Sequence, residues 1–164
     1  MSISAYCGAM DPFLQAAIDE AKLGYSRGHG MPIGSVLVRD GKIIGRGHNK
    51  RLLDQPMTHA EIDCLNNAGQ QKTYADCVLY STLQPCYLCS GAVVQFGIPT
   101  VIVGEDRTFP GGEHKTCGLS GDFLRKHGVS VTVIQDPTCI AMMTEFIQKH
   151  PELWFPDIGQ QPPK

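Results

Sequence analysis

Basic residues are scarce in this chain: 14 Lys and Arg stand against 16 Asp and Glu in 164 residues, for a net charge of −2. Proteins that grip a phosphate backbone usually carry a basic footprint, so no nucleic-acid partner is expected. Long apolar runs are missing as well. None approaches the roughly 20 residues needed to cross a bilayer, so no membrane partner is expected either. The first residues, Met1-Ser2-Ile3-Ser4-Ala5-Tyr6, have neither the basic stretch nor the apolar core of a secretory leader. The seven cysteines lack a regular spacing, which argues against a disulfide scaffold and for a reducing compartment, the cytoplasm. No repeat and no linker interrupts the sequence. Its length suits one domain, 1–164, able to bury about 70% of its unfolded surface without staples.

What the chain does have is an alternation of short strands and helices. Asp11-Pro12 opens a helix, with an N-cap residue before Pro at the first helical position. Phe13, Leu14, Ala17, Ile18, Ala21 and Tyr25 give that helix one apolar face, and Gly28 closes it. Residues 33–38 and 42–47 read as strands joined by the Asp40-Gly41 turn signal. Further along, helices are expected over 59–68 and 86–96, and strands over 76–82 and 100–104. Residues 105–120 read as a long loop, a length often used for lids. A short helix over 121–127, a strand over 129–134 and a helix from Asp136-Pro137 to near His150 complete the body. The segment 151–164, with Trp154-Phe155-Pro156-Asp157, reads as a tail docked back over the site, fraying from Gln160 onward. Such alternation implies one α/β sheet, mixed because of the hairpin, with helices on both faces.

Two short motifs carry the chemistry. Thr58-His59-Ala60-Glu61 supplies H-x-E, and Gln84-Pro85-Cys86-Tyr87-Leu88-Cys89 supplies P-C-x-x-C. One imidazole and two thiolates are the ligands Zn²⁺ prefers, and three protein ligands leave a fourth tetrahedral position open, as in catalytic rather than structural zinc. Water at such a position is acidified toward neutral pH. Glu61, two residues from His59, is near enough to carry its proton without being a ligand. Both motifs open a helix, where the macrodipole and free N–H groups favour thiolate. Both also follow a strand, at the sheet end where such folds place their sites.

Each half also has a plainer reading. Thr58 with Glu61 makes a capping box, and a lone C-x-x-C is also a redox pair or half of a structural zinc site. Together and in this order, the two motifs are the signature of zinc nucleobase deaminases. Asn49 suits a turn or turns its amide to a ligand. Cys64 reads as a small buried hydrophobe, and His114 as an exposed loop residue.

The chain resembles the small fungal-type cytosine deaminases of the cytidine deaminase-like superfamily over nearly its whole length. The likeness lies in Gly24-Tyr25, Pro32-Ile33-Gly34, Gly45-Arg46-Gly47-His48-Asn49, His59-x-Glu61, Pro85-Cys86-x-x-Cys89, Gly97-Ile98-Pro99, Val103-Gly104-Glu105 and, most specifically, Trp154-Phe155-x-Asp157-Ile158-Gly159. The resemblance implies a three-layer α/β/α sandwich with a mixed five-stranded sheet, a homodimer, and one catalytic zinc per chain held by His59, Cys86 and Cys89. It implies hydrolysis of free cytosine to uracil and ammonia, with Glu61 as proton shuttle. Asn49 and Asp157 would hydrogen-bond the pyrimidine edge, and Phe109, Trp154, Ile33, Ala60 and Leu83 or Gln84 would line the pocket.

Four features depart from the pattern: Ala60 in place of Gly, Tyr87-Leu88 between the cysteines, a longer loop after Phe109, and Pro156 within the tail. They bear on pocket shape, and so on rival rings: isocytosine, an amino-triazine, guanine or creatinine. A tRNA adenosine deaminase shares both motifs, but the charge balance speaks against a phosphate-bearing substrate. A zinc-stabilised binding protein without catalysis would have no need of Glu61.

Overall fold

The computed structural model describes residues 11–163. The N-terminal run assessed above for a leader, Lys164, and the side chain of His114 lie outside the described residues. Along the chain the elements are α1 (Pro12–Ser26), β1 (Gly34–Arg39), β2 (Lys42–His48), α2 (Ala60–Ala68), β3 (Cys77–Leu83), α3 (Tyr87–Phe96), β4 (Thr100–Glu105), β5 (Glu113–His114), β6 (Gly118–Leu119), α4 (Ser120–Lys126), β7 (Ser130–Val133), α5 (Pro137–Lys149) and α6 (Pro151–Asp157). Two starts follow directly from the Asp-Pro pairs. Asp11 accepts from Phe13 N at 2.8 Å, and Asp136 accepts from Thr138 N and Cys139 N at 2.8 and 3.0 Å, satisfying free helix donors.

Five strands form one sheet in the order β2-β1-β3-β4-β7. The Asp40-Gly41 turn pairs β1 with β2 antiparallel, and β1 is also antiparallel to β3, while β3, β4 and β7 run parallel. Alternation along the strands splits the core in two, as a period of two requires. Leu37, Leu79, Val101 and Val103 pack with Cys64, Leu65, Val93 and Leu124 from α2, α3 and α4. Val36, Val38 and Tyr80 pack with Leu14, Ala17, Ile18 and Cys139 from α1 and α5. The result is the expected three-layer α/β/α sandwich with a mixed sheet.

A third cluster lies at the site end, where Met31, Ile33, Ala60, Leu83, Met143, Phe146 and Trp154 meet. The approach of α2 to β2 depends on Gly47. A Cβ there would lie 2.2 Å from Cys64 N and 2.6 Å from Ala60 O, so only glycine lets the helix start reach the sheet.

Four expectations change. The loop 105–120 contains the hairpin β5–β6, entered through Gly111 and Gly112, both at φ 88°. Tyr25 is 40% exposed and only leans edge-on against Phe146, because the buried stripe of α1 ends on Ala21 and Gly24. Residues 151–157 are a helix rather than an irregular tail; His150-Pro151 carries the same Pro-first signal as α1 and α5. Gln160 does not fray, since its N–H bonds Phe155 O at 2.8 Å and it borders the site cavity.

Candidate active site

Two helix starts meet at the carboxyl end of β3. His59 is the N-cap of α2 and Cys86 the N-cap of α3, both in extended backbone and neither making a side-chain capping bond. Both side chains are thereby free to point at one spot, and Cys89, one turn into α3, joins them. Cys86 Sγ lies 3.4 Å from His59 Nδ1 and 3.8 Å from Cys89 Sγ, and Cys89 Sγ lies 3.7 Å from the same nitrogen. A tetrahedral zinc with ordinary bond lengths has S···S edges of about 3.8 Å and S···N edges of about 3.5 Å. The three atoms already stand at those separations, so the donor set fits the ion in type and in size.

The charges of the trio are strongly coupled. The Cys86 thiol is pulled down to about 4, first by its hydrogen bond with Cys89 and then, against burial, by His59. That same bond, with burial, pushes Cys89 well above its ordinary value. Burial opposes a charge on His59, yet Cys86, Glu61 and Asp157 outweigh it and raise the imidazole to about 9. A dication entering among these atoms displaces their protons, which makes its affinity rise with pH.

Glu61, 4% exposed, belongs to this group without completing it. Its Oε1 accepts from Ser81 Oγ at 2.8 Å, and its Oε2 faces the trio, 3.2 Å from Cys89 Sγ. Burial, then the Cys86 charge, raises the Glu61 carboxyl above the ordinary glutamate range. The capping-box reading fails here. Thr58 is not the cap of α2, and Glu61 turns inward to Ser81 and the trio.

A cavity of about 620 Å³ opens from this spot and is bordered by Ile33, Asn49, Ala60, Gln84, Phe109, Trp154 and Asp157, within the usual range for small-molecule sites. Asn49 takes the turn of its first sequence reading and borders the cavity, where the second would place a ligand. Its Oδ1 accepts from Arg51 N at 3.0 Å, an Asx turn, while its side chain borders the cavity. Phe109 meets Trp154 edge-to-face at 5.5 Å, so loop and α6 close against each other. Glu105, fully buried, orders the turn before Phe109 by accepting from Arg107 N, Thr108 N and the Thr108 hydroxyl. Ser120 Oγ donates to Pro85 O at 2.7 Å and ties the far end of that loop to the Cys86 helix start. Cys64 is a buried core thiol outside the trio, as its plainer reading has it.

Sequence reasoning missed Arg51, whose Nε lies 2.5 Å from Asp157 Oδ1. No short-range pattern links residue 51 to residue 157. Ser81 and Ser120 were missed for the same reason, since their partners Glu61 and Pro85 lie 20 and 35 residues away; Glu105 was given no role although its partners are local.

Fold and site define a zinc-dependent hydrolase, with the Glu61 carboxylate beside three atoms that could hold the ion. The chain belongs to the cytidine and deoxycytidylate deaminases, whose zinc-binding region matches residues 9–105. Cytosine deaminase of Candida albicans is 40% identical over 151 residues, spanning 90% of this chain and 95% of its own. A tRNA-specific adenosine deaminase of Streptococcus pyogenes serotype M18 is 37% identical over 123 residues, 73% of this chain and 77% of its own. Guanine deaminase of Nitrosomonas europaea shares the fold over 85% of each chain, with a TM-score of 0.68 at 21% identity.

Proposed function

We propose that this enzyme deaminates free cytosine to uracil and ammonia, and that His59, Cys86 and Cys89 hold its zinc. The bound ion supplies a Lewis acid that makes water a nucleophile near neutral pH. Glu61 Oε2 accepts one proton of the attacking water and passes it to the ring nitrogen beside the amine-bearing carbon; it then carries the second, from the new hydroxyl, to the amine, which leaves as ammonia while the carbonyl forms. Its raised proton affinity suits a group that must both accept and donate near neutrality. Asn49 and Asp157 orient the ring, and Phe109 and Trp154 exclude water from it.

The observation that carries the choice of substrate is the wall made by α6. It places a carboxylate, Asp157, and a large aromatic, Trp154, against a cavity that also holds the Asn49 amide. Identity to the Candida enzyme across nearly both full lengths supports the same reading. A tRNA substrate is disfavoured by the net charge of −2. Ammonia release from cytosine, isocytosine, guanine, an amino-triazine, creatinine and a tRNA anticodon hairpin tests the choice, with zinc measured in the same preparation. Cytosine is expected to lead in kcat/KM, with about one zinc per chain. A tenfold preference for another substrate overturns the assignment.

Alkylation gives a second test, for the metal trio. Iodoacetamide is expected to reach Cys86, the half-exposed member of the pair and the one whose thiol is pulled down, only after a chelator removes the ion that would occupy it. Cys64, Cys77 and Cys139 are buried, with thiols pushed up first by burial, and should stay unlabelled until the chain unfolds. Peptide mapping reads the sites, and equal labelling of Cys86 with and without chelator would remove it from the ligand set.

The remaining parts of the reading are a cytoplasmic, pyrimidine-salvage role and a homodimer. Among the described residues no helix is long and apolar enough to cross a membrane. Leu52, Leu53 and Met57, 43, 42 and 61% exposed, put three large apolar side chains on the loop leading to α2, a surface suited to a partner. Sedimentation at micromolar concentration checks the dimer.

A further inference from the structure

We propose that Arg51 is a positioning residue for this reaction, one that fixes the polarity of both ring-contacting groups at the border of the cavity. The inference rests on the reading of Asn49 and Asp157 as substrate contacts. Arg51 begins the short 3-10 turn that follows β2, two residues after Asn49. Its main-chain N–H donates to Asn49 Oδ1 at 3.0 Å. With its oxygen engaged, the Asn49 amide presents its NH₂ to the cavity and acts as a donor.

The Arg51 side chain reaches α6. Nε stands 2.5 Å from Asp157 Oδ1, and Nη1 donates to Pro56 O at 3.2 Å. The Asp157 carboxylate is 6% exposed. Its Oδ1 is fully occluded and has no aligned hydrogen bond, so the guanidinium charge is the compensation it has at that oxygen. A buried carboxylate without a counter-charge protonates or turns away. Burial raises the Asp157 carboxyl and the Arg51 charge opposes that rise; paired at Oδ1, the group has its second oxygen for a substrate N–H.

The turn itself is anchored, so this grip is not that of a loose surface arginine. Lys50 N donates to Thr58 O, Leu52 N to His29 O and Leu53 N to Lys50 O, at 2.9 to 3.0 Å. The Lys50 side chain pairs with buried Asp63 at 2.7 Å. From this fixed base Arg51 spans the gap to α6, the element that closes the cavity. One residue therefore holds both a donor amide and an acceptor carboxylate at the border of the cavity. That pattern selects a ring that carries both a carbonyl and an amine.

The test is a double-mutant cycle on the zinc-loaded, full-length enzyme, using Arg51→Gln, Arg51→Lys, Asp157→Asn and the Arg51→Gln/Asp157→Asn pair. Arg51→Gln is expected to lower kcat/KM for cytosine by about 10- to 100-fold, with zinc content and melting temperature kept. Arg51→Lys should recover part of the loss, since it restores the charge but not the planar fork. The double variant should be no worse than Asp157→Asn alone, because coupled residues are non-additive. Affinity for pyrimidin-2-one, which lacks the exocyclic amine, should stay within about threefold of wild type in Arg51→Gln, because the main-chain bond to Asn49 survives.

Multiplicative losses in the double variant overturn the proposal. So do an equal fall for cytosine and pyrimidin-2-one, loss of zinc or fold in both Arg51 variants, and wild-type kinetics in Arg51→Gln. A wild-type enzyme that ignores cytosine would instead defeat the substrate assignment, and that result is distinct from an additive cycle in an enzyme that turns cytosine over.

Discussion

Glu61→Gln is expected to yield a folded, zinc-loaded protein whose deamination rate falls by at least about 10²–10⁴-fold, the usual share of a general acid–base group. The substitution is nearly isosteric, and its surroundings can accept it. Gln keeps a carbonyl oxygen for the Ser81 hydroxyl, which now bonds Oε1 at 2.8 Å. Its amide N–H can face the Cys89 sulfur, where Oε2 now lies at 3.2 Å. What the amide cannot do is accept a proton from water and pass it on. The loss is expected to exceed that of a single transfer, because one carboxylate serves the attack, the ring nitrogen and the leaving amine. Metal analysis, circular dichroism melting and ammonia release on one preparation check this. A Gln variant with most of its turnover would assign Glu61 a purely structural role.

Ending the chain at His150 is the second large effect expected: turnover should vanish while the metal trio persists. Although Ala60 and Leu83 beside it pack in the Trp154 cluster, the trio stands at the starts of α2 and α3 and takes no residue from α6. The cavity does need it, since Trp154 is 3% exposed and closes on Phe109. Without α6, Met31, Met143 and Phe146, now 0, 1 and 2% exposed, meet water. The truncated protein is therefore expected to bind zinc but melt well below the full chain. Trp154→Ala isolates the largest part of that packing and should cost about 3–5 kcal/mol, the range for truncating a buried large aromatic. Thermal melts, zinc content and kcat/KM of both variants read the outcome. Wild-type kinetics after truncation would mean that α6 does not form the substrate wall.

The parts of the molecule that were legible in the sequence are those whose causes are local. Asp-Pro pairs announced α1 and α5, Asp40-Gly41 announced the hairpin, and ligand chemistry at two helix starts announced the trio. Glu61 was legible because its place beside His59 follows from spacing. The rest depends on contacts between distant segments. Nothing near Thr58 tells whether Glu61 will cap a helix or turn to Ser81, 20 residues on. Nothing near Arg51 announces a partner 106 residues away, the difference between positions 51 and 157. The hairpin inside 105–120 escaped for another reason: each of its strands has two residues, too few for an alternation to register. For Asn49 the residues alone favoured a turn and the resemblance a ligand contact; one side chain has two ends, and the fold uses the oxygen for the turn.

Two N-cap positions in this fold, His59 and Cys86, hold side chains that make no capping bond. A good N-cap contributes about 1 kcal/mol to its helix, so α2 and α3 each forgo that at the very place where they must be held still. An ion held by His59, Cys86 and Cys89 would take over the task. By joining residue 59 to residues 86 and 89 it would close the intervening stretch of chain into a ring, much as a disulfide does, and hold two helix ends at a common point. The catalytic metal would thereby also be a cross-link. Stripping it should fray both helix starts together, and hydrogen exchange at residues 60–63 and 87–90 should quicken ahead of the rest of the sheet. Zinc supply would then govern how long the chain survives as well as how fast it works.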